Sequence, residues 1–368
     1  MPFLSVTMAS LFHRTDASRP TAGPDGSSLN QHSTRRAHFS LTATAAISAL
    51  AIGLSGCAGA PSPTSGPSAS TSSAATPTSI SLTNCGHKIT LAKPVTRAVT
   101  LNQGATENVL ALGMQKSLVG TAYLDGVMPE KWQSAYKSVK VLSKEYPDKE
   151  AFLAARPDFA FASYASAFTD KAVGTREALA RQGIGTYISP FGCPDGTKSA
   201  DATWDNVYSE VTNVAKILGR PEAAKTVISK QKEELNAVQA AQNGKGLTAV
   251  WFDSGDKTPF LGGGTGGPQL ILSAAGATNV FAHQKSNWFD GSWEKVVAAD
   301  PDVIVLADAS WDTAAKKIKY LETDPVLKNL RAVKNKSFIT LPFAATTPGA
   351  QLTDGATIVS DGLAKFQR

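Results

Sequence analysis

The chain has 368 residues, a length that suits two or three domains. Its formal net charge is +6, and the first 57 residues hold four arginines against Asp16 and Asp25, so the remainder carries +4; that excess is too small and too evenly spread for a nucleic-acid binder. The sequence has no Gly-x-Ser-x-Gly, His-Glu-x-x-His or Cys-x-x-Cys. Ser229–Lys232 fits Ser-x-x-Lys only formally, on a solvated helix face without companion motifs. Beyond residue 57 only His87 and His283 remain, far apart, which argues against a His-rich metal centre. The expectation is a protein that is not an enzyme, with no catalytic set, no metal ligands and no cofactor of its own.

Arg35-Arg36 precede the apolar stretch Leu41–Leu54, the small residues Ser55-Gly56, and Cys57. This order describes a signal peptide, and the apolar run is too short to span a bilayer comfortably. Leu-Ser-Gly-Cys resembles the lipobox of bacterial lipoproteins, which implies a lipid on Cys57 and export to the outer face of the cell membrane. Residues 1–57 are therefore expected to be a lipoprotein signal peptide. Residues 58–79 contain only Ala, Gly, Pro, Ser and Thr and read as a flexible tether. In an exported chain, Cys85 and Cys193 form a disulfide by default. The competing reading makes Cys193, in Phe-Gly-Cys-Pro, the nucleophile of an exported α/β hydrolase or thiol enzyme.

Residues 80–200 read as a first α/β lobe. Cys85–Leu91 suggests a short edge strand, Lys93–Leu101 a strand, Ala105–Gly113 a helix with a glycine stop, and Leu118–Tyr123 the next strand. Glu150-Ala-Phe-Leu-Ala-Ala-Arg-Pro-Asp158 then runs into Phe-Ala-Phe-Ala, and Glu294-Lys-Val-Val-Ala-Ala-Asp-Pro-Asp302 into Val-Ile-Val-Leu. In each copy an acid opens an amphipathic segment and a proline ends it. The continuous apolar run that follows suits a strand buried on both faces. A helix at 172–182 and a strand at 183–190 complete the lobe. Residues 201–243 are helix-rich, with a plausible cap at Asp201 or Thr203 and a break at Gly219-Arg220-Pro221. Residues 244–368 read as a second lobe: a strand at 247–253, a glycine-rich turn at 260–268 with Pro268 at a helix start, a loop at 279–293, strands at 303–306 and 337–341, and a closing helix at 357–366. The turn lacks the Gly-Lys-Ser/Thr of a phosphate loop.

Pro94-x-x-Arg-Ala-Val-x-Leu, Ala105-Thr-Glu-x-x-Leu-Ala-Leu-Gly and Leu118-Val-Gly-Thr, with the two Pro-Asp segments, resemble the cluster-III periplasmic binding proteins over residues 85–366. These are the substrate-binding components of ABC importers for iron–siderophores, cobalamin and haem. The resemblance implies an α/β fold of two similar lobes with central sheets, joined by a long rigid interdomain helix, with a ligand cleft between them. It implies a monomer that delivers a small-molecule metal chelate, a ferric siderophore first, to an ABC permease dimer, and it assigns Glu150 and Glu294 to docking on that permease. The competing role for these two acids is favourable placement at helix starts.

Aromatic residues cluster in loops after the predicted strands, where open α/β sheets bind ligands. Tyr123, Tyr146, Tyr164 and Phe168 belong to the first lobe. Trp251, Trp288, Phe289, Trp293 and Phe343 belong to the second, and Trp288 occupies the place where cobalamin-binding relatives present a ligand-facing tryptophan. Flat rings suit a large, partly apolar chelate. Haem ligation by Tyr164 with His283, and a scaffold or adhesion module without transport, are the remaining alternatives.

Overall fold

The computed structural model describes residues 79–194 and 196–367; the expected signal peptide, the expected lipidation at Cys57 and the expected tether up to residue 78 lie outside them. The first strands form a hairpin, β1 (Ile80–Asn84) and β2 (His87–Leu91), with Cys85 in its turn at φ +47°. Then follow β3 (Ala98–Leu101), α1 (Gln103–Ala111), β4 (Leu118–Ala122), α2 (Glu130–Lys137), β5 (Val141–Ser143), α3 (Lys149–Ala154), β6 (Phe159–Ala162), α4 (Arg176–Ala180) and β7 (Gly185–Ile188). The last five strands make an all-parallel sheet in the order β5-β4-β3-β6-β7. β3 and β6 read Ala-Val-Thr-Leu and Phe-Ala-Phe-Ala and are buried throughout, as expected where helices cover both faces. The expected edge strand at 85–91 is instead half of the separate hairpin. Asn84 closes the edge of β7 as a strand would: its Nδ2 donates to Ile188 O (2.7 Å) and its Oδ1 accepts from Ile188 N (2.8 Å).

The second lobe holds β8 (Thr248–Ser254), β9 (Phe260–Gly262), α7 (Gly267–Ala274), β10 (Thr278–Asn279), β11 (Trp288–Asp290), α8 (Trp293–Ala299), β12 (Val303–Asp308), α9 (Ala314–Thr323), α10 (Arg331–Lys334), β13 (Phe338–Pro342) and α11 (Leu352–Ala364). Its sheet runs β11-β9-β8-β12-β13, with β10 beside β8. The order repeats that of the first lobe, but β9 and β11 are antiparallel. A helix separates β3 from β4 and permits a parallel crossover. Only residues 255–259 separate β8 from β9, which forces a hairpin. Gly255 takes the required positive φ of +85°. The glycines at 263 and 264 serve close packing, because a Cβ there would lie 2.2 Å from Ser286 O and 2.0 Å from Ala282 O.

The two Pro-Asp segments are one device built twice. The residue before each proline, Arg156 or Asp300, adopts a left-handed φ (+50° and +37°), which ends α3 and α8. Asp158 then accepts from Thr96 N (3.1 Å) and Arg97 N (3.0 Å), and Asp302 accepts from Thr248 N (2.9 Å) and Thr248 Oγ1 (2.7 Å). Each aspartate thus ties the start of its own strand to the start of the central strand beside it. A guanidinium covers the exposed helix end in both lobes. Arg97 donates to Ala155 O and Arg156 O, and Arg331 donates to Asp300 O while pairing with Asp302 at 2.8 Å.

Between the lobes run two helices, α5 (Trp204–Ile217), capped by Thr203, and α6 (Pro221–Ala241), broken from it at Gly219. Val207 of α5 sits in the second lobe's core while Val211, Val214 and Ile217 sit in the first's. α6 returns the other way, with Ala224 in the first core and Leu235 and Val238 in the second. At about 1.5 Å per residue, α6 alone spans about 30 Å.

Cys85 and Cys193 are joined in a disulfide with Cα atoms 5.4 Å apart, tying the hairpin turn to the loop after β7 and leaving Cys193 no free thiol. Closing so long a loop is worth roughly 2–5 kcal/mol. The double variant Cys85→Ser/Cys193→Ser should therefore unfold at a clearly lower urea midpoint, with a slope equal to or steeper than that of the bridged protein. An unchanged midpoint would mean that the bridge adds nothing to stability.

Candidate functional site

All strands of the first sheet, and β8, β12 and β13 of the second, are parallel, so the loops after them gather at the carboxyl ends where the lobes face each other. On the first lobe the backbone is strained at two adjacent strand ends. Asn102, after β3, has φ +76°, and Tyr123, after β4, has φ +57°. The turn at Tyr123 sets its ring edge-on to Tyr146 with centroids 4.7 Å apart. The Tyr146 hydroxyl donates to Asn102 Oδ1 (3.0 Å) and lies 3.0 Å from Ser166 Oγ, and burial pushes its pKa up to about 12. Tyr164 follows β6; burial, and then the nearby Asp125 carboxyl, hold its phenol well above the ordinary range.

Across the cleft, Trp288 on β11 and Asn287 line a cavity with Tyr164, Ser163 and Gly192. Asp253, at the end of β8, lies beside Trp288 and close enough to raise Tyr164. Burial lifts Asp253 to about 6, offset in part by Lys317, whose buried Nζ donates to the carbonyls of Asp253 and Ala307. Trp311, in the loop after β12, packs edge-on against Phe343 after β13, at 4.8 Å.

Direct contacts hold the lobes together beside this cleft. Gln351 Nε2 of the second lobe donates to Glu107 Oε1 of the first (2.5 Å), which also accepts from Gln103 Nε2 (2.7 Å). Ser310 N donates to Asp125 O (3.2 Å), and Lys131 pairs with Asp354 at 2.5 Å. Burial pushes both Glu107 and Asp125 up to about 7. The cavity between the lobes is only about 40 Å³, room for about one water, whereas ligand pockets run to roughly 300–1,000 Å³. A group of that size would fit here only with the lobes parted.

Of the expected ligand residues, Tyr123, Tyr146, Tyr164, Trp288 and Phe343 stand at the carboxyl ends of the strands or, for Trp288, on the cleft wall. Three expectations fail. Trp251 is fully buried in the core between β8 and the α6–α7–α11 layer, because mid-strand residues of a two-sided sheet have no solvent face. Phe168 is buried among Phe152, Ala160 and Leu179, since the short turn after Tyr164 folds back onto the core. Phe289 neighbours Trp288 on a strand, so it points to the opposite face and packs edge-on against Phe281. Trp293 donates to Asp256 O and packs edge-on against Phe252, a packing role. His283 is exposed beside Gln284, and among the described residues no group of three or more His, Cys, Asp or Glu is placed to hold a metal ion.

Glu150 and Glu294 are both exposed and both occupy the second residue of a short helix, α3 capped by Asp148 and α8 capped by Ser292. The Ser292 hydroxyl, donating to Glu294, holds that carboxyl below its ordinary range. Sequence reading missed the buried polar lining: Asn108, Ser189, Glu210, Asp125 and Asp253. For Asn108, Glu210 and Asp253 the only trace was a polar residue within an otherwise apolar helix or strand; Ser189 and Asp125 lie in loops after strands.

A family model described as "Periplasmic binding protein" matches residues 99–345. A vitamin B12-binding protein of Vibrio parahaemolyticus is 21% identical over 241 residues, covering 64% of this chain and 80% of the relative. A periplasmic binding protein of Veillonella parvula superposes with a TM-score of 0.69 at 27% identity, covering 78% of this chain and 98% of its own. An ABC-type Fe3+-hydroxamate transport system structure from Saccharomonospora viridis gives 0.65 at 24%, covering 77% and 98%. The family match spans well over half of the chain and takes in both large sheets, and the chain belongs to the periplasmic binding protein family.

Proposed function

We propose that this protein is the substrate-binding component of an ABC importer that captures a ferric siderophore, with hydroxamate chelates first, and hands it to a membrane permease. One observation carries the reading: Tyr123, Tyr146 and Tyr164 on one lobe oppose Asp253 and Trp288 on the other, across a gap that lobe separation would open. Aromatic faces bury the apolar shell of a chelate, and phenol and indole groups hydrogen-bond its rim. The Fe3+-hydroxamate transport structure shares this fold, which makes hydroxamate chelates the first to test. A second reading, cobalamin, is favoured by Trp288 in the cleft wall and by the B12-binding relative. In either case a lipid on Cys57 would hold the protein at the outer face of the membrane. Among the described residues no helix is long and apolar enough to cross one.

Delivery would use the exposed Glu150 and Glu294, one on each lobe at matching helix positions. Exposed carboxylates steer encounter and fix register with basic partners more than they add affinity.

Tryptophan fluorescence of residues 80–368, titrated with ferric trihydroxamate, ferric catecholate, ferric citrate, cobalamin and haemin beside their metal-free forms, tests the ligand. Saturable quenching by the ferric trihydroxamate at micromolar or lower concentration, weakened at least tenfold by Trp288→Ala, is expected; a response to cobalamin alone would select the second reading. Glu150→Arg with Glu294→Arg should abolish chelate uptake by cells while leaving solution affinity within about twofold of wild type. Unimpaired uptake would remove the docking role.

A further inference from the structure

The inner end of the cleft is built from three buried polar side chains. Asn108 of α1, Ser189 at the end of β7 and Glu210 of α5 all line the cavity, and each is more than nine-tenths buried. Asn108 Oδ1 and Glu210 Oε2 have no well-formed hydrogen bond, while the Ser189 hydroxyl lies beside Glu210 and the Trp288 indole, facing them from the second lobe, lies beside Asp253. Unpaired buried polar atoms cost roughly 1–3 kcal/mol each, so two acceptors around one small cavity mark a place shaped for a bound group. Asn108 Oδ1 is an acceptor, and Glu210 becomes acceptor-only once ionised, so a cationic group with several donors would satisfy both. No lysine or arginine lines this cavity.

We propose that Glu210, with Asn108 and Ser189, forms a subsite for a primary ammonium group of the ligand, so that the protein selects an amine-bearing, cationic chelate over neutral and anionic ones. An ammonium has three donors and no acceptor, which matches the two acceptor atoms and the Ser189 oxygen. Its charge balances Glu210, and a carboxylate this deeply buried is stable only when paired. Burial pushes Glu210 up to about 8, offset in part by the Ser189 hydroxyl. Its titratable neighbour on β7 is Tyr187, whose phenol is itself raised by burial and by Glu210. Trp288 would close over the methylene chain that carries the amine. Glu210 belongs to a helix shared by both cores, so the subsite stays fixed while the lobes move. The inference rests on the cleft being the chelate site.

The test compares a ferric trihydroxamate ending in a primary amine with its N-acetylated form, by equilibrium titration against the wild-type protein and Glu210→Gln. The amine form should bind at least tenfold more tightly to wild type, and Glu210→Gln should reduce that preference to less than about twofold. Equal affinity of the two forms for wild type would overturn the subsite while leaving the chelate cleft standing, as would a preference that survives Glu210→Gln. The wild-type comparison decides even if the variant fails to fold. Binding of neither form, with cobalamin or haemin bound instead, would overturn the ferric-chelate reading and the subsite with it.

Discussion

Two helices that each belong to two hydrophobic cores set what the rest of this molecule can do. α5 places Val207 in the second lobe and Val211, Val214 and Ile217 in the first, and α6 returns with Ala224 and then Leu235 and Val238. Extracting any one of these larger side chains costs about 1.5–3 kcal/mol, so neither helix can leave either core at thermal cost. Relative motion of the lobes must come from bending this pair, or from the loops between them. That constraint favours small openings around a fixed floor over a wide hinge.

The polar chemistry follows from that geometry. The floor and walls of the cleft carry Glu107, Asp125, Glu210 and Asp253, all buried and all raised by burial to between about 6 and about 8. Glu107 is satisfied by glutamines from both lobes and acts as a latch between them. Glu210 and Asp253 each keep an oxygen without a partner. The distinction separates carboxyls that hold the closed form together from carboxyls that are available to a ligand.

The repeated Glu–Pro-Asp segment was legible in the sequence because its parts are local: a left-handed residue before proline, an aspartate one position on, and an apolar run buried on both faces. The helical connection with its break at Gly219 and the Thr203 cap were legible for the same reason. The antiparallel β9 and β11 were not, since the deciding feature is the short 255–259 connection rather than any residue preference. Nor was the orientation of single aromatics. Trp251, Phe168 and Phe289 have the composition of ligand residues, and burial or strand alternation turns them into the core. Glu210 was hidden most completely, since a lone acid on an apolar helix face gives no sign of what it faces until the second lobe brings Trp288 opposite.

The most direct test of the account is a crystal structure of residues 80–368 grown with the ferric trihydroxamate. The account predicts the chelate between Tyr164 and Trp288, in contact with both lobes, with the Gln351–Glu107 and Ser310–Asp125 contacts lengthened or broken to admit it. A chelate bound elsewhere, for example in the pocket of about 160 Å³ beside Arg331 and Phe366, with the lobes still in contact, would contradict it.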